Sequence, residues 1–110
     1  TKRAAAVRER GMGVVAEAVA ERWFTPAFAS DPPALRARQG LLATPPEGYA
    51  ACCEAIALMD LRSVLGAIAA PALVIAGAGD AATPLDHALE IVRGVADAEL
   101  VVLPRAAHLL

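Results

Sequence analysis

The sequence predicts an α/β fold: a run of helices followed by one parallel β-α-β unit. Three observations carry this reading. Residues 4–65 read as helices punctuated by proline and glycine. Two apolar runs, Ala72-Leu73-Val74-Ile75-Ala76 and Leu100-Val101-Val102-Leu103, then break the helical period. Between them, Leu85, Leu89, Val92 and Val95 return to helical spacing. Continuously apolar runs of this length suit strands covered on both faces. A strand-helix-strand succession places its strands parallel, with a right-handed crossover.

The elements follow in order. Ala4 to Arg10 is a short helix broken by Gly11 and Gly13. Val14 to Arg22 is amphipathic, with Val15 and Val19 on one stripe, and Pro26 lies beyond its end. Ser30 or Asp31 caps the next helix, with Pro32 and Pro33 in its first turn and Leu35 to Leu42 as its body. Thr44, Pro45 and Glu47 form a capping-box pattern before a helix carrying Tyr49, Cys52, Cys53, Ile56 and Met59. Asp60 caps a short helix from Leu61 to Leu65, near Gly66. Pro71 introduces the first strand, Thr83 and Pro84 open the intervening helix, and Asp97 turns the chain into the second strand.

Composition narrows the function classes. The chain has 110 residues, the length of one small domain, and 57% of them are hydrophobic. A domain this small leaves much of its surface exposed, so some of that apolar surface expects a partner. The net charge of −2 gives no reason to expect nucleic acid or an acidic membrane. No apolar stretch approaches the ~20 residues that span a bilayer. Cys52 and Cys53 are adjacent and form neither a metal-spaced pair nor a disulfide framework. They read as buried reduced thiols of a cytoplasmic protein.

The chemistry concentrates in two residues. Asp80 follows the first strand and His108 follows the second. Parallel strands end on one edge of their sheet, and open α/β sheets keep their chemistry outside that edge. A carboxylate beside an imidazole is the orienting half of an acyl-transfer triad. On spacing alone, His108 is equally an ordinary loop histidine and Asp80 a turn residue in Gly-Ala-Gly-Asp. Asp86 and His87 lie inside the intervening helix and are weaker candidates. The nucleophile of such a triad sits in a Gly-x-Ser-x-Gly elbow. Ser30 and Ser63 are the only serines, and neither has that setting. Cys52 or Cys53 as nucleophile is disfavoured by their place in a helix.

Four stretches resemble a known family: Arg22-Trp23-Phe24-Thr25-Pro26, Pro46-Glu47-Gly48-Tyr49-Ala50, Leu73 through Asp80, and Ala106-Ala107-His108. Together they resemble the second part of a 3-oxoadipate enol-lactonase, an α/β-hydrolase of aromatic catabolism. The resemblance implies a helical cap over residues 1–66 and the end of the hydrolase core over residues 67–110. It implies hydrolysis of a small enol-lactone in the β-ketoadipate pathway, with neither metal nor organic cofactor. His108 would be the general base and Asp80 its orienter. Trp23 and Arg22 would bind substrate, the first by packing and the second through the substrate carboxylate, although core packing and solvation are the ordinary roles of such residues. The chain opens on Thr1 and stops soon after His108. The expected partner is therefore the preceding half of the same fold, which carries the serine, and this portion alone is expected to be inactive. Some bacterial relatives are fused to a carboxymuconolactone decarboxylase domain, a further possible partner. Two alternatives remain open on the sequence. One is another capped α/β-hydrolase, esterase or dehalogenase-like. The other is a non-catalytic helical interaction module.

Overall fold

A computed structural model describes all of residues 1–110. Helices α1 (Lys2–Arg10), α2 (Gly13–Trp23), α3 (Pro32–Ala43) and α4 (Pro46–Leu58) come first. A 3₁₀ turn, Arg62–Ala67, leads to β1 (Ala72–Gly77), α5 (Leu85–Gly94) and β2 (Ala98–Leu103). The chain divides into two compact units. One comprises residues 1–21 and 26–59, and the other residues 22–25 and 60–110.

In the first unit, α1 packs on α4, with Ala4, Val7 and Ala50 buried. Small side chains let the two helices approach closely. At the surface, the Arg8 guanidinium bonds the carboxylates of both Glu47 and Glu54. Arg38 of α3 pairs with Glu17 of α2. Gly11 ends α1 at φ 76°, a left-handed conformation that favours glycine.

The structure corrects several sequence expectations. Thr44 does not cap α4. The helix begins one residue later, with Pro45 at the cap position in extended geometry (ψ 124°). Pro45 precedes Pro46, and a residue before proline favours extended backbone. The Thr44 hydroxyl donates instead to the Gly40 carbonyl at the end of α3. Asp31 holds the cap position of α3, but its side chain makes no capping bond. Pro33, at the second helical position, lacks one of the two N–H groups that a cap serves. The two cysteines are not buried. Cys52 is exposed and Cys53 half-buried. Ala50 is the buried position of α4, so Cys53 lies on the flank of that contact and Cys52 faces away.

In the second unit, β1 and β2 pair in parallel, with Ala72 opposite Ala98 and Gly77 opposite Leu103. Helix α5 packs on both strands and on the 3₁₀ turn. Its Ala88 is buried, as are Ala76, Val95, Ala107 and Phe24. The other face of the sheet is open in this chain: Leu73 is 59% exposed, Ile75 49% and Val101 41%. The strands are thus apolar on both faces apart from Glu99, which lies beside Leu73 on the open one, and are covered on one face only. The 3₁₀ turn replaces the short helix expected there. Leu61 takes its cap position, while Asp60 Oδ1 accepts from the Arg62 amide at 3.1 Å. No helix is long and apolar enough to cross a membrane.

Candidate active site

The site forms where the chain leaves the two parallel strands. After β1, the Ala78 amide donates to the Leu103 carbonyl at 2.9 Å and the Gly79 amide to the Ala106 carbonyl at 2.9 Å. These bonds tie the loop carrying Asp80 to the loop carrying His108. Gly77 makes the approach possible. A Cβ built there would lie 2.2 Å from the Ala107 carbonyl oxygen and 2.5 Å from that of Ala106. On the far side of His108, the Leu109 amide donates to the Trp23 carbonyl at 2.9 Å.

Asp80 and His108 meet, with His108 Nδ1 2.9 Å from Asp80 Oδ2. The Asp80 side chain is only 8% exposed, while that of His108 is 33% exposed. Asp80 Oδ1 accepts from the amides of Ala82 and Thr83, both at 2.8 Å. Oδ2 accepts from the Thr83 hydroxyl at 2.8 Å and faces His108. Burial pushes the Asp80 carboxyl pKa up. The bonds from His108, from the amide and hydroxyl of Thr83 and from the Ala82 amide outweigh it and hold the group at about 2. Asp80 is therefore a carboxylate at neutral pH.

Thr83 is the member that sequence reasoning missed. Its position before Pro84 and a helix suggested a cap. In the structure α5 starts at Leu85, and Pro84 holds the cap position without a side-chain bond. The Thr83 hydroxyl is engaged with Asp80 and lies 3.2 Å from His108 Nδ1. The signal was the spacing. An aspartate that accepts from amides two and three residues ahead folds the chain back on itself, returning residue i+3 to its carboxylate.

Asp86 lies exposed in the first turn of α5, and the carboxylate that pairs with His108 belongs to Asp80. His87 is also exposed, yet it lines a cleft of about 260 Å³ together with Asp80, Thr83, His108, Val74 and Ile91. Trp23 and Arg22 are half-buried and do not line this cleft. Trp23 reaches the neighbourhood through its backbone carbonyl. No three His, Cys, Asp or Glu side chains converge in a way that could hold a metal ion. The arrangement can orient an imidazole, fix its tautomer and present it as a base.

The chain is similar to known hydrolases. It is 40% identical over 109 residues to 3-oxoadipate enol-lactonase 2 of Acinetobacter baylyi, a match covering 97% of this chain and 40% of that protein. It superposes on the crystal structure of the enol-lactonase from Burkholderia xenovorans with a TM-score of 0.89 and 37% identity, over 96% of this chain and 41% of that one. A hydrolase from Pseudomonas aeruginosa gives 0.90 and 40%, over 98% and 42%. A thermophilic esterase from Thermogutta terrifontis gives 0.86 and 32%, over 98% and 41%. The chain has the α/β-hydrolase fold. No protein-family model matches it. It spans about 40% of the length of the relatives it resembles. Its strand-helix-strand end and its preceding helices match theirs in both sequence and structure, and it resembles the enol-lactonases over nearly its whole length.

Proposed function

We propose that this α/β-hydrolase chain supplies the base and orienter of a serine-type hydrolase acting on a small carboxylated enol-lactone. The observation that carries the reading is the 2.9 Å contact between His108 Nδ1 and the largely shielded carboxylate of Asp80. With Nδ1 engaged, Nε2 is the ring nitrogen left for chemistry. A serine oxygen attacks the lactone carbonyl while Nε2 takes the hydroxyl proton. The ring C–O bond breaks, and the leaving enol oxygen takes that proton from Nε2. A water then gives a proton to Nε2 as it attacks the acyl ester, and the departing serine oxygen takes that proton as the acid is released. Throughout, Asp80 stabilises the imidazolium without itself becoming protonated.

Residues 1–66 are assigned to the helical cap of such an enzyme and residues 67–110 to the end of its core. Trp23 and Arg22 are assigned to substrate binding, Arg22 through the planar match between guanidinium and carboxylate. No serine in this chain sits in a nucleophile elbow, so the nucleophile comes from another part of the fold and residues 1–110 alone are inactive. The similarity to an esterase supports a second reading, a capped hydrolase of simple esters.

The test uses the protein expressed from its complete reading frame. It should hydrolyse 3-oxoadipate enol-lactone with a higher kcat/KM than short-chain aryl esters; the reverse ranking selects the esterase. His108→Gln and Asp80→Asn should each lower kcat by about 10³-fold or more on the preferred substrate. Near-normal turnover by His108→Gln would sink both readings.

A further inference from the structure

We propose that Thr83 is a positioning residue that holds Asp80 and the His108 ring in the arrangement that keeps the ring proton on Nδ1. The inference rests on the hydrolase reading above and extends it to a residue outside the triad. Three atoms form a closed triangle. Thr83 Oγ1 lies 2.8 Å from Asp80 Oδ2 and 3.2 Å from His108 Nδ1, and Asp80 Oδ2 lies 2.9 Å from His108 Nδ1. A hydroxyl has one proton to donate and two lone pairs to accept with. An ionised carboxylate only accepts, so the hydroxyl proton goes to Asp80. Toward His108, the Thr83 oxygen then has only a lone pair to offer.

Nδ1 therefore faces two acceptors and no donor. The tautomer with its proton on Nδ1 satisfies both. The opposite tautomer sets a bare nitrogen lone pair against a carboxylate and draws the hydroxyl away from Asp80. The closed triangle thus selects Nδ1–H and leaves the Nε2 lone pair for the substrate side. Thr83 also holds the other carboxylate oxygen, since its amide donates to Asp80 Oδ1 at 2.8 Å. One residue thereby fixes both oxygens of the orienting group. Two local constraints keep Thr83 in place. Its β-branch restricts χ1, and the following Pro84 restricts its backbone. Asp80 and His87 are the titratable side chains that share the cleft with His108.

The test compares Thr83→Val, Thr83→Ser and Thr83→Ala with wild type in the protein expressed from its complete reading frame. Valine keeps the shape and the amide but removes the hydroxyl. Its kcat should fall about tenfold to a hundredfold, the size of effect seen when an outer bond orienting an imidazole is removed. KM should stay within about twofold, because the hydroxyl binds the imidazole and not the substrate. Nitrogen-15 NMR of His108, assigned by difference from His108→Gln, should show one sharp Nδ1–H signal in wild type and a shifted or exchange-broadened one in Thr83→Val, where Asp80 alone still favours that tautomer. Serine should restore both turnover and the wild-type signal. If valine impairs folding in a thermal melt, the serine-to-alanine comparison carries the test, with serine expected to be at least about tenfold faster.

A Thr83→Val protein with wild-type kcat and an unchanged Nδ1–H signal overturns the inference, as does a folded Thr83→Ser protein no better than Thr83→Ala. An inactive His108→Gln alongside those results leaves the hydrolase reading standing and removes only Thr83. A fully active His108→Gln removes both.

Discussion

Asp80 is a carboxylate whose titration ties the stability of the fold to pH. Its carboxyl is held at about 2, against an ordinary value of 3.8. A pKa lowered by folding means that the unfolded chain binds more protons between these two values. The stabilisation is therefore complete above about pH 4 and disappears as pH falls through about 2. Its size is at most about 2–3 kcal/mol. Denaturation of the complete protein and of Asp80→Asn should show a gap that is constant from pH 7 to about pH 5. The gap should then narrow as pH falls toward 2. A gap that persists unchanged at acid pH would trace the variant's instability to packing instead. The pair itself was legible in the sequence, because parallel strands deliver the loops at their ends to one edge of the sheet. Thr83 was not, because a threonine before a proline and an apolar period satisfies the rules for a helix cap equally well. Only the side-chain geometry separates the two roles.

Between elements, the decisive contact is that of the end of β1 with the segment Ala106 to His108. Gly77 sits where any Cβ would overlap the carbonyl oxygens of Ala106 and Ala107. Both obstacles are backbone, so no side chain can swing aside. Gly77→Ala should destabilise the protein by about 1–3 kcal/mol, the usual cost of overpacking a tight site. It should also displace His108 and lower kcat by up to about a hundredfold, as misplacement near 1 Å does. Gly48→Ala is the matched control, since a Cβ in that helical position meets nothing within 4 Å. It should be neutral or stabilising by up to about 1 kcal/mol. Equal effects from the two substitutions would remove Gly77 from its role. Helix existence and the β-α-β order followed from apolar period and punctuation. Helix starts followed less well, because consecutive prolines both delete amide donors and force extended backbone. That is why Thr44 does not cap α4, and why Asp31 holds the cap position of α3 without a side-chain capping bond.

For the molecule as a whole, the apolar content visible in the composition has a location. Helix α5 covers one face of the two-stranded sheet, and the opposite face presents Leu73, Ile75 and Val101 to solvent. Parallel strands are ordinarily covered on both faces, and a sheet of two strands is marginal in isolation. The open face therefore marks where the rest of a hydrolase fold would pack. Residues 1–110 expressed alone should bind a hydrophobic dye and self-associate, through that face and the unpaired strand edges. The protein from the complete reading frame should do neither. A compact, dye-silent, cooperatively melting 110-residue monomer would instead favour an independent interaction module. Its Asp80–His108 pair would then be a remnant of hydrolase ancestry with no substrate to act on.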